Sequence, residues 1–411
     1  MKDTTATVKS ATRTVVKYLA TYGEPEARLI TSANPPWPQA SRFQDVLVIP
    51  AYRESPDFFY RLADSLMRYH SLLLIVVVNQ PDTVASTVPE NAHLWATIAT
   101  RTSSIWRNEH LHLLNLEGTL SAVLLVDRFS HLAIPGKQGV GLARKIGADL
   151  ALTLMNLGYI SQPWIYSSDA DAHLPIDYFS ALPASAQQQY AAAVYPFLHL
   201  CNDDDIGRAT RLYEQRMHHY VNGLRAAGSP YAYHTLGSAL AIRDTSYAQV
   251  RGFPKRSGAE DFYLLNKAAK VGPILSLTTS PIQIEARPSD RVPFGTGPAI
   301  NRLLTDKDAD NAAIFYHPDV FAHLHQWLIL MPDTRVYPIA DLSLPEITKR
   351  ALAELGIEQA SRAARKTSNT QDNYNKHMHT WFDGFKTLRF IHLLRDHGLQ
   401  NVRSGQVTSL Y

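Results

Sequence analysis

The chain reads as an α/β protein with a Rossmann-like, mostly parallel sheet and a helical C-terminal appendage, and three observations predict this. Two apolar runs, 45–50 and 72–78, flank a helical interval, the pattern of a parallel strand-helix-strand unit. A further strand-like run from Pro163 ends in Asp169-Ala170-Asp171, where two acids stop a buried segment. From Ala299 onward apolar residues recur at helical spacing between polar linkers. At 411 residues the chain can bury a large core and form more than one domain. The expected division is 1–44 as an N-terminal helix and extended lead-in, 45–298 as the α/β domain, and 299–411 as a mainly helical region.

Composition narrows the partners. The formal charge of +3 is spread among interspersed acids and bases, so no nucleic-acid footprint is expected. A single cysteine, Cys201, excludes an intramolecular disulfide framework and a Cys-rich zinc site, and points to a reducing compartment, with cytoplasm the expected location. The longest apolar run, 72–78, is too short to span a bilayer. The Ser/Thr-rich, basic segment 4–18 reads as an amphipathic surface helix, with an organelle-targeting helix as the alternative.

The elements follow in order. Pro35, Pro36 and Pro38 mark an extended lead-in to a core strand at 45–50, which ends in Ala51-Tyr52-Arg53-Glu54. Ser55-Pro56-Asp57 opens a helix through about His70. The run 72–78 is apolar throughout, as a strand buried on both faces requires, and it stops at Asn79. A third strand is expected at 111–116, while 118–134 is ambiguous between helix and strand. Gly136, Gly139 and Gly141 precede a helix at 142–157 that Gly158 ends. This loop lacks the pattern of a P-loop or a dinucleotide turn and reads as a flexible helix start, although Arg144 and Lys145 in the first turn could reach a diphosphate.

After the strand at 163–168 come a short helix at 175–181, a strand at 190–200 and a helix at 206–226 capped by the acids 203–205. A strand at 235–242 and a turn at 250–254 lead to Gly258-Ala259-Glu260-Asp261, where paired acids open a helix. Those acids suit the helix dipole, and equally suit a general base. Arg287 to Gly297 is a Gly/Pro-rich loop with two arginines, Arg287 and Arg291, readable as a lid on phosphate or as an irregular connection. Amphipathic helices are expected at 347–366 and 375–397, with a soluble break between them. His377 and His379, two apart on a helix, read as surface or core residues rather than metal ligands.

The Asp-x-Asp triplet carries the most chemistry. Two carboxylates on one side of extended backbone can face one hard cation, Mg²⁺ or Mn²⁺, which keeps positions open for phosphate oxygens. The chain holds three other such triplets, 203/205, 306/308 and 308/310, so the order of motifs matters more than any one. Val48-Ile-Pro-Ala-Tyr-Arg-Glu54, the strand ending at Asn79, Gly141-Leu-Ala-Arg-Lys-Ile-Gly147, Asp169-Ala-Asp171 and Gly258-Ala-Glu-Asp261 together resemble the family 2 glycosyltransferases over about 45–280.

That resemblance implies the GT-A fold, a nucleotide-diphospho-sugar transferase architecture, and a uridine- or guanosine-linked sugar donor bound at the carboxyl ends of the parallel strands. It implies donor contacts from Pro50, Tyr52, Glu54, Asn79, Arg144, Lys145 and Asp169, with Arg287 and Arg291 as further candidates from the lid reading. Asp169 and Asp171 match the metal motif, Asp171 as the direct ligand, and Asp261 beside Glu260 matches the base of inverting members. Asn79 stands where the family usually has Asp, and Lys145 where it has Asn. The Gln-x-x-Arg-Trp motif of processive members is absent, since Gln326-Trp327 lacks its spacing. The acceptor is unspecified, and the C-terminal helices are candidates for binding it or for forming an oligomer. The alternatives are a catalytically silent GT-A scaffold and a sugar-phosphate nucleotidyltransferase, the latter a poor match to 51–54.

Overall fold

Every residue of β1 (Asp45–Ala51) and β2 (Leu72–Asn79) is buried, including the polar Asp45 and Asn79 at their ends, around the apolar runs 46–49 and 72–78, and the strands pair in parallel with Val48 beside Ile75. The structure, a computed structural model, describes residues 13–183, 185–287, 296–305, 313–403 and 406–407. It divides into two units, Met1–Leu200 with Thr235–Pro298, and Cys201–His234 with Ala299–Tyr411.

The first unit begins with helix α1 at 13–22, and helix α2 (Asp57–Asp64) follows β1. An edge hairpin, β3 (Ser103–Asn108) and β4 (Leu111–Asn115), leads to β5 (Ala122–Arg128). The ambiguous stretch 118–134 thus contains a strand, while β3 escaped the sequence reading because Trp106 is the one residue it fully buries. Helix α3 (Gly139–Asn156) precedes β6 (Trp164–Ser167) and the two-residue β7 (Ala172–His173). The helix expected at 175–181 is a series of turns. The run 190–200 is two strands, β8 (Ala192–Val194) and β9 (Phe197–Leu200), parted at Tyr195-Pro196, where proline lacks the donor a continuous ladder needs.

Only β10 (Leu240–Arg243) remains of the strand expected at 235–242, because a turn precedes it, the Ala239 amide donating to the Leu236 carbonyl at 3.1 Å. Helix α5 (Glu260–Ala268) and two strands without a sequence signal, β11 (Ile274–Ser276) and β12 (Ile282–Glu285), follow; helix α4 (Asp205–Ala226) lies in the second unit. The large sheet has nine strands in the order β11-β8-β10-β6-β1-β2-β5-β4-β3, and β6, β1, β2 and β5 run parallel at its centre. Because β2 lies on one side of β1 and β6 on the other, strand order reverses at β1, the place where open α/β sheets form ligand crevices. A second sheet, β7-β12-β9, has three strands. Helix α3 lies close against β1, where a β-carbon on Gly147 would meet Val48 at 2.3 Å.

Among the described residues the second unit is helical apart from its loops and a single antiparallel bridge between Phe315 and Val402. Helix α4 (Asp205–Ala226) is capped by Asp204, which accepts from the Gly207 amide at 2.7 Å, the role expected of that acid cluster. Its Leu224 joins Val320, Phe321, Leu324 and Trp327 of α6 (Pro318–Leu330) in the unit's core. The segments 347–366 and 375–397 each form two helices rather than one. They are α7 (Glu346–Glu354) and α8 (Ile357–Thr367), broken at Gly356, then α9 (Gln371–Trp381) and α10 (Gly384–Asp396), separated by the cap Asp383. Gly356 adopts φ 82°, a conformation that ends a helix at little cost only for glycine. Among the described residues no helix is long and apolar enough to cross a membrane.

Candidate active site

The carboxyl ends of β1 and β6 are adjacent, so the loops after them must share space. β1 ends at Ala51, and the chain turns sharply at Arg53, whose φ of 57° is uncommon for a residue with a side chain. Asn91 stabilises that turn by accepting from the Arg53 amide at 2.9 Å and donating to the Asn79 carbonyl at 2.9 Å. The turn delivers Glu54, which is buried, to the mouth of the crevice. β6 stops at Ser167, and the Ala172 amide closes a turn onto the Asp169 carbonyl at 3.2 Å. Asp169 and Asp171 therefore flank a turn, and the alternation of an extended strand does not reach them.

Each acid takes a different arginine. Arg144 on α3 is buried; its Nη2 donates to Asp169 Oδ1 at 2.6 Å and its Nε to Glu260 Oε1 at 2.9 Å. Its Nη1 donates to Ser167 Oγ and to the carbonyls of Ser168 and Gly237 at 2.8, 3.2 and 3.1 Å. Burial alone would lower the Arg144 pKa, but Asp169 and Glu260 more than offset it, so the guanidinium stays charged. A β-carbon on Gly237 would lie 2.2 Å from Arg144 Nη2, which explains why the chain is bare there.

Arg287 serves Asp171. Antiparallel pairing of β12 with β7 sets Ile284 opposite Ala172, and the Glu285 amide donates to the Asp171 carbonyl at 3.0 Å. Two residues later the Arg287 Nη2 reaches Asp171 Oδ2 at 2.9 Å and Glu54 Oε1 at 2.8 Å, while Nη1 donates to Glu54 Oε2 at 3.0 Å. Both flank a cavity of about 600 Å³ lined by Arg53, Glu54, Arg61, His93, Asp171 and Arg287, among others. Arg61 on α2 anchors the acidic turn from the other side, donating to the Ala170 carbonyl at 3.0 Å.

Asp261 opens α5 beside Glu260, preceded by Ala259 at φ 58°. Burial first, and the negative charge of Glu260 second, push its carboxyl up to about 7, against the pull of the Phe262 amide and Arg144. Such a group changes protonation near neutrality, as a general base does.

Other expected residues lie elsewhere. Lys145, expected to face a diphosphate, points away: its ammonium donates to Asp149 Oδ2 at 2.7 Å, Tyr18 Oη at 2.7 Å and the Tyr22 carbonyl at 2.9 Å, joining α3 to α1. One step along a helix turns a side chain by about 100°, so neighbours such as Arg144 and Lys145 cannot serve one ligand. The Asn79 amide, expected among the donor contacts, is spent on the carbonyls of Ala51 and Val77, both at 3.1 Å. Pro50 is buried inside β1 opposite Val77, and Tyr52 is half-buried at the bend that follows. Arg291 and most of the loop expected to cover phosphate lie outside the described residues.

Gly139 and Gly141, expected in a flexible loop before the helix, form the first turn of α3, and Gly141 is held close against a neighbouring segment. The Gly141 amide donates to the Arg256 carbonyl at 2.9 Å, and a β-carbon there would meet the Pro254 carbonyl oxygen at 2.3 Å. The residues the sequence reading missed, Ser167, Gly237, Arg61 and Asn91, act through individual hydrogen bonds between distant segments, Gly237 through its carbonyl and the others through their side chains, and carry no motif.

The donor chemistry suits a divalent cation in part. Among the described residues no group of three or more His, Cys, Asp or Glu is arranged to bind a metal. Glu54 and Asp171 nevertheless converge on one positive group, the Arg287 guanidinium, which stands in for a cation between hard oxygen donors. Two such ligands suit an ion that completes its shell with water and phosphate oxygens.

The chain matches no protein-family model and no curated protein sequence. Solved structures do align with it, among them GalNAc-T7 with UDP, GalNAc and Mn²⁺, at 12% identity and a TM-score of 0.34, over 70% of this chain. The aligned part is 52% of that protein, so the chain spans about half its length. At this distance the site's own geometry has to carry any assignment.

Proposed function

We propose that the chain is a GT-A glycosyltransferase of the family 2 type, moving a sugar from a nucleoside-diphosphate donor to a hydroxyl acceptor. One observation carries the reading: the acidic turn after β6 is held by two arginines at the switch point of the sheet, beside a polar cavity and a carboxyl poised near neutrality. The donor diphosphate lies in the cavity near Glu54, Asp171 and Arg287. Asp169 is locked to Arg144 and shapes the turn. Asp171 and Glu54 would hold Mg²⁺ or Mn²⁺, which when bound neutralises the diphosphate.

In the reaction the acceptor oxygen bonds to the anomeric carbon while the bond from that carbon to the diphosphate oxygen breaks. The hydroxyl proton passes to Asp261, and the nucleoside diphosphate leaves with its electron pair. A single displacement inverts the anomeric centre. Arg287 meets the charge that grows on the leaving group.

The test is calorimetric binding of UDP, GDP and CDP with and without Mn²⁺, on wild type and Asp171→Ala. Binding of one nucleotide that strengthens with Mn²⁺ and is lost in Asp171→Ala is expected, followed by transfer or hydrolysis of the matching sugar nucleotide. No binding by any of them at millimolar concentration would remove the reading and favour a silent scaffold.

A further inference from the structure

We propose that Arg287 is an exchangeable counter-ion, holding the cation position between Glu54 and Asp171 until a divalent ion arrives with a diphosphate, and then transferring its charge to that diphosphate. Glu54 comes from the loop after β1 and Asp171 from the turn after β6, and Arg287 bonds to both at 2.8 to 3.1 Å. Two carboxylates converging on one point repel unless a cation stands between them, so the position calls for positive charge in every state of the protein. A guanidinium meets that need and also binds phosphate oxygens in the same forked way, so it suits both partners of an exchange.

The two arginines differ in the respect that matters. Arg144 has only 3% of its side chain exposed and is tied to Ser167, Ser168 and Gly237 as well as to two acids. Arg287 has 32% exposed, lies on the wall of the cavity, and bonds to the two carboxylates. The first is fixed in the scaffold, whereas the second can move without opening the core. A cation that binds alone must displace Arg287 and leave the guanidinium without its carboxylates. With a diphosphate present, the displaced guanidinium regains a forked anionic partner. Cation and diphosphate therefore bind cooperatively, and the coupling resides in Arg287.

The diphosphate half of this inference rests on the nucleotide-sugar reading; the cation half does not. Mn²⁺ alone is titrated into the full chain, with the free ion followed by electron paramagnetic resonance. Arg287→Gln is expected to bind Mn²⁺ about tenfold more tightly than wild type, and Asp171→Asn added to it should erase the gain. Inorganic pyrophosphate should raise Mn²⁺ affinity about tenfold in wild type and far less in Arg287→Gln. Equal or weaker Mn²⁺ binding by Arg287→Gln, or a gain that survives Asp171→Asn, would overturn the proposal. Arg287→Lys keeps one charge but cannot fork across both acids; it should show a smaller gain, and it decides the matter if Arg287→Gln does not fold. Failure of nucleotides to bind would sink the transferase reading while leaving the Mn²⁺ comparison intact.

Discussion

Arg144 Nη2 lies 2.6 Å from Asp169 Oδ1, joining the second turn of α3 to the acidic turn after β6 across 25 residues. Because the same guanidinium also holds Glu260, one buried charge fixes two segments of the candidate site at once. Removing it leaves Glu260 buried without its cation and strips the Gly237 carbonyl of a donor. Arg144→Ala is expected to cost about 3–5 kcal/mol in chemical denaturation. Gly237→Ala, which would drive a methyl into Arg144 Nη2, should cost about 1–3 kcal/mol in the same measurement.

In the proposed reaction Asp261 would act as a base only when ionised. Its carboxyl is pushed up to about 7, so the ionised fraction, and with it kcat/KM for transfer, should fall as pH drops below about 7 and level off above. Asp261→Asn should lower kcat by about 10²–10⁴ while nucleotide binding persists. A pH profile that is flat from 5 to 9 would count against Asp261 as the base.

Lys145 makes the opposite prediction, since its ammonium is committed to Asp149 and Tyr18. Lys145→Met leaves Asp149 charged or protonated without its cation, and should cost about 3–5 kcal/mol of stability. Nucleotide affinity, measured at low temperature where the variant stays folded, should be unchanged.

Asp45 gives a stability test away from the site. It is 2% exposed, its Oδ2 has no hydrogen-bond partner among the described residues, and burial pushes its carboxyl up to about 6 from an ordinary 3.8. Below about pH 4 both folded and unfolded chains carry it protonated, so it has no effect. Between 4 and 6 the unfolded chain ionises first, stability falls, and above 6 the full penalty remains. Asp45→Asn should therefore raise stability at pH 8 by on the order of 2–3 kcal/mol and change little at pH 4.

What the sequence determined by itself is the centre of the fold and the strand ends around which the candidate site is proposed. Continuous apolar runs at β1 and β2 allow no element but a strand buried on both faces, and the acids 169 and 171 mark where β6 must stop. Hydrophobic periodicity is local, so it was legible without the rest of the chain. Short strands such as β11 and β12 were not, because three or four residues carry no period and pair only once the other strands are in place. The helices after 346 were legible as helices, but their breaks depended on Gly356 and Asp383.

Tertiary structure alone decided which charges meet. Nothing in the sequence says that Asp169 takes Arg144 while Asp171 takes Arg287, 116 residues away. Nor does it say that Lys145 turns to Tyr18 while its neighbour Arg144 enters the site. Charge partners are chosen by where strands register and where a buried group finds its counter-charge, and both are properties of the assembled sheet. The motif placed the carboxylates at a strand end, and the pairing of β12 with β7 brought Arg287 to Asp171.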